Sequence, residues 1–314
     1  MNGERYRKSS PNLSVLIPAY NFAEGVLRIV SPLLSEGRSD IEILIHDDSC
    51  NARVEAAIQE LIESNACLRY VRNSPALGAV YNWNSLLQNA QGKYVILIHH
   101  DDFPLSETFA SDLLGELERQ DWPDALILSC LTYDVGNKKI RPCVCNFIRA
   151  CIGRHFPTYL LRRNVIGSPS MLVVRRELFD GYDVGLKWLV DVEAYVRFLT
   201  KQKRRLAFST MMMASSTGMP DAISSTIKSD VKEIADAELA YLEAKYPKNS
   251  GWKILRGENL FGKLMLALEK PLWLMIKIAD ALNRFPRNEV SLSNAVGNRV
   301  KSFAVDNDKR EECQ

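Results

Sequence analysis

The sequence predicts an α/β fold, a Rossmann-like, mostly parallel sheet flanked by helices and followed by a C-terminal helical extension. Three observations carry that expectation. Short apolar runs alternate with stretches of helical periodicity up to about residue 120. The runs lack polar alternation, as strands covered on both faces should. Polar clusters rich in Asp, Asn and His follow them, where an open α/β sheet holds its ligands.

The elements follow in order. Leu13 to Pro18 reads as a strand, and Val26 to Leu34 as a helix after a polar turn at Tyr20 and Asn21. Ile41 to Ile45 is a second strand; Val54, Ile58, Leu61 and Ile62 form one face of a helix with Asn51 as its N-cap. Leu68 to Val71, Gly78 to Ala90, Tyr94 to Ile98 and the stretch marked by Phe109, Leu113, Leu114 and Leu117 give strand, helix, strand, helix. The run ALILSCL from Ala125 is a further strand, whereas Lys138 to Arg163 has no readable periodicity. Regularity returns with a strand at Ser170 to Val174, a helix over Asp191 to Lys201 and a strand at Leu206 to Phe208. Beyond Lys228 the pattern is helical, with a large apolar stretch from Asn259 to Phe285 broken by Pro271, and past Pro286 it is polar.

Composition excludes several classes. A chain of 314 residues, 46% hydrophobic and 25% charged, is not disordered throughout and can bury a large core. Forty basic against thirty-eight acidic side chains leave no field to hold a nucleic-acid backbone. The seven cysteines are odd in number and poorly spaced for a disulfide framework or a zinc site, so reduced thiols are expected and Cys143 and Cys145 receive no role. The N-terminus has no apolar core of a signal peptide, and no apolar run reaches the ~20 residues that span a bilayer, so a cytoplasmic protein is expected.

The strand ends are patterned: IPAYN after the first, EILIHDDS at the second, LGAVYNWN opening the third helix, GKYVILIHHDD at the fourth, and WLVDVEAYVRF downstream. In this order the segments, covering about residues 12 to 200, resemble the family-2 glycosyltransferases of GT-A fold, in the bacterial polysaccharide-type subgroup with a His-containing variant of the acidic motif. The resemblance implies an inverting, metal-dependent enzyme of polysaccharide biosynthesis. It would move a sugar from a nucleotide-diphosphate donor, a UDP-sugar above all, to a hydroxyl of a saccharide or lipid-linked saccharide in a single displacement. The rival reading is a non-catalytic sugar-nucleotide binder.

The resemblance also assigns residues. Pro18, Ala19 and Tyr20 match the loop flanking the nucleotide, and Asp47 matches the acid that accepts from the imide N–H of a uracil-type base, with Asp48 and Ser49 as turn or cap residues. Asp47 as a helix cap is the plain alternative. Gly78 and Asn82 open the third helix, where donor contact and helix capping explain them equally. His99, His100, Asp101 and Asp102 fall on a segment that usually reads Asp-any-Asp-Asp. Asp101 then holds Mg²⁺ or Mn²⁺ on the donor diphosphate. His99 replaces a carboxylate, and a neutral imidazole there can hydrogen-bond a ribose or coordinate Mn²⁺. Asp191 matches the general base at a helix N-terminus, with Val190 where an acid normally precedes it. Asp102, Ser168 and Glu193 are candidates for the acceptor side, with a plain turn explaining Ser168 equally and a structural role preferred for Glu193. A further histidine that often completes the metal site is missing after Phe208, and Asp221 is the substitute ligand considered.

These matches divide the chain into a catalytic domain over 1–228, a helical extension over 229–285 and a polar, partly disordered tail over 286–314. The apolar stripes of 259–285, interspersed with Lys263, Lys270, Lys277 and Arg284, fit packing on the catalytic domain or another subunit. Packing is the usual outcome for such stripes, and a peripheral placement on the cytoplasmic face of a membrane is the alternative.

Overall fold

The structure, a computed structural model, describes residues 10–134, 139–142, 146–201, 204–217 and 230–246, with isolated positions at 256, 258, 263, 267 and 274. The predicted alternation is present as β1 (Leu13–Ala19), α1 (Ala23–Ser35), β2 (Ile41–Asp47), α2 (Arg53–Ser64), β3 (Leu68–Arg72), α3 (Ala79–Asn89) and β4 (Tyr94–Leu97). There follow β5 (Asp102–Pro104), α4 (Phe109–Arg119), β6 (Ala125–Asp134), β7 (Lys139–Pro142), α5 (Asn146–His155), β8 (Leu172–Arg175), α6 (Val190–Thr200), β9 (Leu206–Thr217) and α7 (Val231–Lys245). The expectations for 259–285 and 286–314, and for Asp221, Cys143 and Cys145, fall outside the described residues; of the helical extension, α7 is the described part.

The sheet runs β3-β2-β1-β4-β8-β6-β9-β5, with β7 paired to β6. β3, β2, β1 and β4 are mutually parallel, and β8 then joins β4 antiparallel. Beyond β8 the sheet is mixed, since β6 runs antiparallel to β8 but parallel to β9, and β5 is antiparallel to β9. Within the parallel half, β1, β2 and β4 display the continuous apolar runs because both of their faces are covered, whereas the edge strand β3 buries only Leu68. All residues of β1 and β2 are buried, and α1 lays Val26, Ile29, Val30 and Leu33 into the same core. Each such side chain contributes on the order of 1.5–3 kcal/mol by leaving water.

Two differences from the predicted elements have physical causes. β9 extends to Thr217, far past the three apolar residues that announce it, because its later part is held by backbone pairing with β6 and mixes partly buried Met211 and Met212 with fully buried Met213 and Ala214. Within the unreadable stretch lies α5, fastened by a fully buried arginine. The guanidinium of Arg149 donates to the carbonyls of Val165 (3.0 Å), Leu128 (2.7 Å) and Ile166 (2.8 Å). Burial pushes its pKa down to about 10, which still leaves it charged at neutral pH. One arginine among several basic residues of an aperiodic segment gives no sequence signal of such a role. Of the described cysteines, Cys67 is a free thiol as expected, whereas Cys50 and Cys130, contrary to expectation, are each disulfide-bonded.

The register brings chemistry to one edge. Ala19 pairs with Asp47, and Asp47 with Arg72, so the carboxyl ends of β1, β2 and β3 finish level. The chain proceeds from β1 to β2 and β3 on one side and returns to β4 on the other. That reversal opens a crevice between β1 and β4. α1 crosses close beneath it: a Cβ on Gly25 would lie 2.1 Å from the carbonyl oxygen of His100, so only glycine allows helix and loop to approach. No helix among the described residues is long and apolar enough to cross a membrane.

Candidate active site

A cleft of about 520 Å³ lies at this crevice. Pro18, Ala19, Tyr20, Asp48, Ala76, Gly78, Ala79, Asn82 and Trp83 line one side; His99, His100 and Asp101 form the middle; Ser168, Pro169, Lys187, Trp188, Val190 and Asp191 close the other. Residues from six separated segments therefore converge, including most of those the sequence singled out.

The first wall is organised by Asp48. Its carboxylate, 6% exposed, accepts from the Asn73 side chain (2.7 Å) and from the backbone N–H groups of Leu77 (3.1 Å) and Gly78 (2.8 Å). Gly78 is the N-cap of α3, and its φ of +83° is a left-handed value that a side chain would resist. An anion at a helix N-terminus satisfies donors that have no partner within the helix. Asn82 donates to the carbonyl of His46 (3.0 Å) and accepts from Asn73 (3.2 Å), tying α3 to the end of β2.

Asp47 does not reach the cleft. It is fully buried, and its oxygens accept from the Ser49 backbone N–H (2.9 Å), the Ser49 hydroxyl and the Tyr70 hydroxyl (2.9 Å). The acid that meets the cleft is the next one, Asp48, because successive residues at a strand end face opposite ways.

The middle of the cleft holds an acid and imidazole cluster. Ligand atoms of His99, Asp101 and Asp102 lie within 4.8 Å of one another. Burial, then the charge of Asp102, pushes the Asp101 pKa up to about 6. Burial holds the His99 imidazole below its ordinary value, so it is neutral at pH 7, and its Nε2 is buried with no hydrogen-bond partner. An orphaned imidazole nitrogen beside crowded carboxylates is a donor set that a divalent cation satisfies. Its mixed N and O character suits Mn²⁺ and also accommodates Mg²⁺. His100 is held differently, its Nδ1 lying 3.2 Å from the Pro18 carbonyl, which can only accept. Asp102 is 2% exposed, accepts from the Ser168 hydroxyl (2.6 Å) and belongs to this cluster without lining the cleft. Ser168 thus spends its hydroxyl on Asp102, while Ser170 accepts from the His99 backbone N–H (3.0 Å).

On the far wall Asp191 sits in the first turn of α6. One carboxylate oxygen accepts from the Val192 N–H (2.8 Å) and the other from the Asn164 side chain (3.0 Å). Burial outweighs these bonds and pushes its pKa up to about 6. The missing acid at Val190 is therefore not needed to raise it. Glu193, two positions on, falls on the other side of the helix as the 100° step per residue requires. It is buried away from the cleft, paired with Arg197 (2.9 Å) and accepting from the Tyr246 hydroxyl (2.6 Å). The acceptor-side candidate Glu193 is thus corrected to a link between α6 and the end of α7.

Several cleft residues escape a reading of the sequence. Trp83 and Trp188 stand inside the quoted segments LGAVYNWN and WLVDVEAYVRF, and an aromatic beside a polar motif is the available signal. Lys187, adjacent to Trp188, is the one Lys or Arg among the lining residues. Gly25 and Glu238 act from outside the motifs and carry no signal.

A sheet with this switch point, an acid and imidazole cluster at β4 and a helix-borne acid opposite defines the GT-A glycosyltransferase class of fold. The Glycosyl transferase family 2 profile matches residues 14–182, more than half of the chain. The protein belongs to that family. Among solved structures it is similar to Staphylococcus aureus TarS 1–349 in complex with UDP-GlcNAc, at TM-score 0.56 and 15% identity, covering 93% of this chain and 81% of that one. It is also similar to the mannosyltransferase PcManGT from Pyrobaculum calidifontis in complex with GDP-Man and Mn²⁺, at TM-score 0.53 and 14% identity, covering 96% and 88%. These likenesses concern the fold. A relative in Escherichia coli, the UDP-Glc:alpha-D-GlcNAc-diphosphoundecaprenol beta-1,3-glucosyltransferase WfaP, is 30% identical over 91 residues, which are 29% of this chain and 36% of that protein. The chain spans less than two thirds of the length of the curated relatives it matches.

Proposed function

We propose that the protein is an inverting glycosyltransferase that moves a sugar from a nucleoside-diphosphate donor, a UDP-sugar in this reading, to a hydroxyl of a saccharide or lipid-linked saccharide. The observation that carries the proposal is the convergence, in one cleft, of Asp191 with a pKa of about 6 and the His99–Asp101 cluster. The donor lies along the first wall, its base beside Tyr20 and Asp48 and its diphosphate toward Asp101. His99, Asp101 and Asp102 would hold Mg²⁺ or Mn²⁺, which when bound neutralises the charge that gathers on a diphosphate leaving group.

Asp191 takes the proton of the acceptor hydroxyl as its oxygen attacks the anomeric carbon. One C–O bond forms to the acceptor, the C–O bond to the diphosphate breaks, and the electron pair leaves with the nucleoside diphosphate. A single displacement inverts the anomeric configuration. A base with a pKa near 6 is mostly ionised at neutral pH yet still basic enough to accept a proton in the transition state. TarS, PcManGT and WfaP carry donors or acceptors of these kinds in their names, and that supports the substrate classes. A membrane-facing role for 259–285 belongs to the proposal because lipid-linked acceptors reside at membranes.

The test is an assay of the purified chain against a panel of nucleotide sugars with undecaprenyl-diphosphate saccharides as acceptors, with the product's anomeric configuration read by NMR. Transfer with inversion is expected. Donor binding without transfer to any acceptor would return the protein to the rival reading of a non-catalytic sugar-nucleotide binder.

A further inference from the structure

Helix α7 lies beyond the residues that define the family match, yet it is built into the wall of the cleft. Its Glu238, 7% exposed, accepts from three consecutive backbone N–H groups. Lys187 donates to Oε1 at 2.6 Å, Trp188 to both oxygens at 3.1 and 3.2 Å, and Leu189 to Oε2 at 2.8 Å. Leu189 is the N-cap residue of α6 and has no capping side chain of its own. The helix that bears Asp191 in its first turn is therefore entered from a loop whose N–H groups, up to and including that of the N-cap residue, rest on a carboxylate supplied by another helix.

Around this contact α7 is seated by several others. Leu242, one turn along, is 1% exposed. Asp183, shortly before the clamped loop, accepts from the Tyr241 hydroxyl (3.0 Å) and the Lys245 ammonium (2.6 Å). On the cleft side the same loop presents Lys187 and Trp188, so the backbone is held from behind while the side chains face the ligand space.

We propose that Glu238 is a positioning residue for sugar transfer, fixing through these three N–H groups the start of α6 with Asp191 and the wall formed by Lys187 and Trp188. The proposal rests on the reading of Asp191 as the general base. Without the carboxylate, the Asp191 side chain keeps its bonds from Asn164 and the Val192 N–H, but the loop ahead of α6 loses its three backbone contacts to α7. A displacement of about 1 Å at a reacting group costs up to about 10²-fold in rate. The donor wall, organised by Asp48, shares none of these contacts and should be indifferent.

The experiment compares the full-length wild type with Glu238→Gln, whose amide places an NH₂ where an acceptor is needed, and with Glu238→Ala. Four quantities are read well below the melting temperature: UDP affinity by calorimetry, kcat, acceptor KM, and backbone amide exchange at residues 187–189. In the wild type those amides are expected to exchange far more slowly than that of exposed Val184. In Glu238→Gln the protection is expected to vanish, kcat to fall roughly 10- to 100-fold, acceptor KM to rise and UDP affinity to stay within about twofold.

Wild-type kcat and acceptor KM per folded molecule in Glu238→Gln, whatever its melting temperature, would overturn the proposal by leaving Glu238 a merely structural cap. Fast exchange of the three amides in the wild type would overturn it as well, and that measurement stands even if neither variant folds. The failure of the underlying reading looks different: a wild type that binds donor and transfers nothing removes the base and its positioning together.

Discussion

Two helices begin at the cleft, and each begins on a buried carboxylate from elsewhere in the chain. Asp48 receives the Leu77 and Gly78 N–H groups at the start of α3, from a strand end 30 residues before. Glu238 receives those of Lys187, Trp188 and Leu189 at the start of α6, from a helix about 50 residues later. In the proposed reading, the donor wall is thus complete within the parallel half of the sheet, whereas the backbone behind the acceptor wall is held by α7. One wall is fixed by strand ends common to the fold; the other depends on a helix that the rest of the fold does not dictate. A shared donor chemistry with variable acceptors would use that division.

The contrast between the walls is sharpest at Asp191. Asp191→Asn is expected to lower kcat by about 10²–10⁴-fold, the usual worth of a general base, with UDP affinity unchanged, because the far wall does not touch the nucleotide in this reading. Single-turnover kinetics beside calorimetry check it, and wild-type turnover in the pure variant would remove the base assignment.

A smaller but wider loss is expected on Asp101→Ala or in excess EDTA. Here donor affinity and turnover fall together, by about 10²-fold if the cation contributes even a few kcal/mol to holding the diphosphate. Titration of UDP against protein with and without MnCl₂ measures this directly, and full activity in EDTA excludes the metal role.

The two neighbouring acids of the donor wall should separate next. Asp48→Ala is expected to weaken UDP by roughly tenfold and to narrow the preference over CDP, since it faces the cleft. Asp47→Asn should leave UDP affinity nearly alone and cost stability, about 1–3 kcal/mol for disturbing a buried, fully bonded carboxylate. Calorimetry and thermal unfolding of both variants distinguish them, and the reverse pattern would restore Asp47 to the site.

The smallest effects are those of pH. In the proposed mechanism ionised Asp191 is the active base, so kcat should climb through about pH 6 and level off above it. The same shift has a stability consequence of opposite sense. Because burial raises the native pKa above its ordinary 3.8, the native state holds the proton more tightly, and stability declines as pH rises from about 4 to 6. Asp191→Asn should therefore raise the melting temperature at pH 7, with a ceiling of about 3 kcal/mol. A lowered melting temperature would show that the Val192 and Asn164 bonds outweigh burial.

The same two halves differ in how far the sequence discloses them. In the first, uninterrupted apolar strands and their polar ends are visible because burial on both faces leaves its mark residue by residue, and the placement of Pro18, Tyr20, His99 and Asp101 follows from strand ends alone. The choice between Asp47 and Asp48 is not legible, since it turns on which way a strand's last residue faces. In the second half the sheet mixes directions, β9 places polar Ser209 and Ser215 among its apolar residues, and α5 is fastened through the buried Arg149, which no periodicity announces. Asp191 is found through its motif, whereas Glu193 misleads because two acids spaced by two look alike on paper and diverge on a helix. Glu238 lies in a helix of ordinary pattern, and only the fold brings it to Leu189.

One contact at the centre of the cleft also makes the molecule its own instrument. The Trp83 indole lies 4.8 Å from the His99 ring, tilted by 37°, with Tyr182 edge-on at 5.2 Å. Indole emission responds to charge placed next to it, so an event at the imidazole changes the light that Trp83 gives off. With Trp83→Phe to isolate its share among the five tryptophans, stopped-flow fluorescence could time the arrival of a cation and of a nucleotide separately, with no label attached.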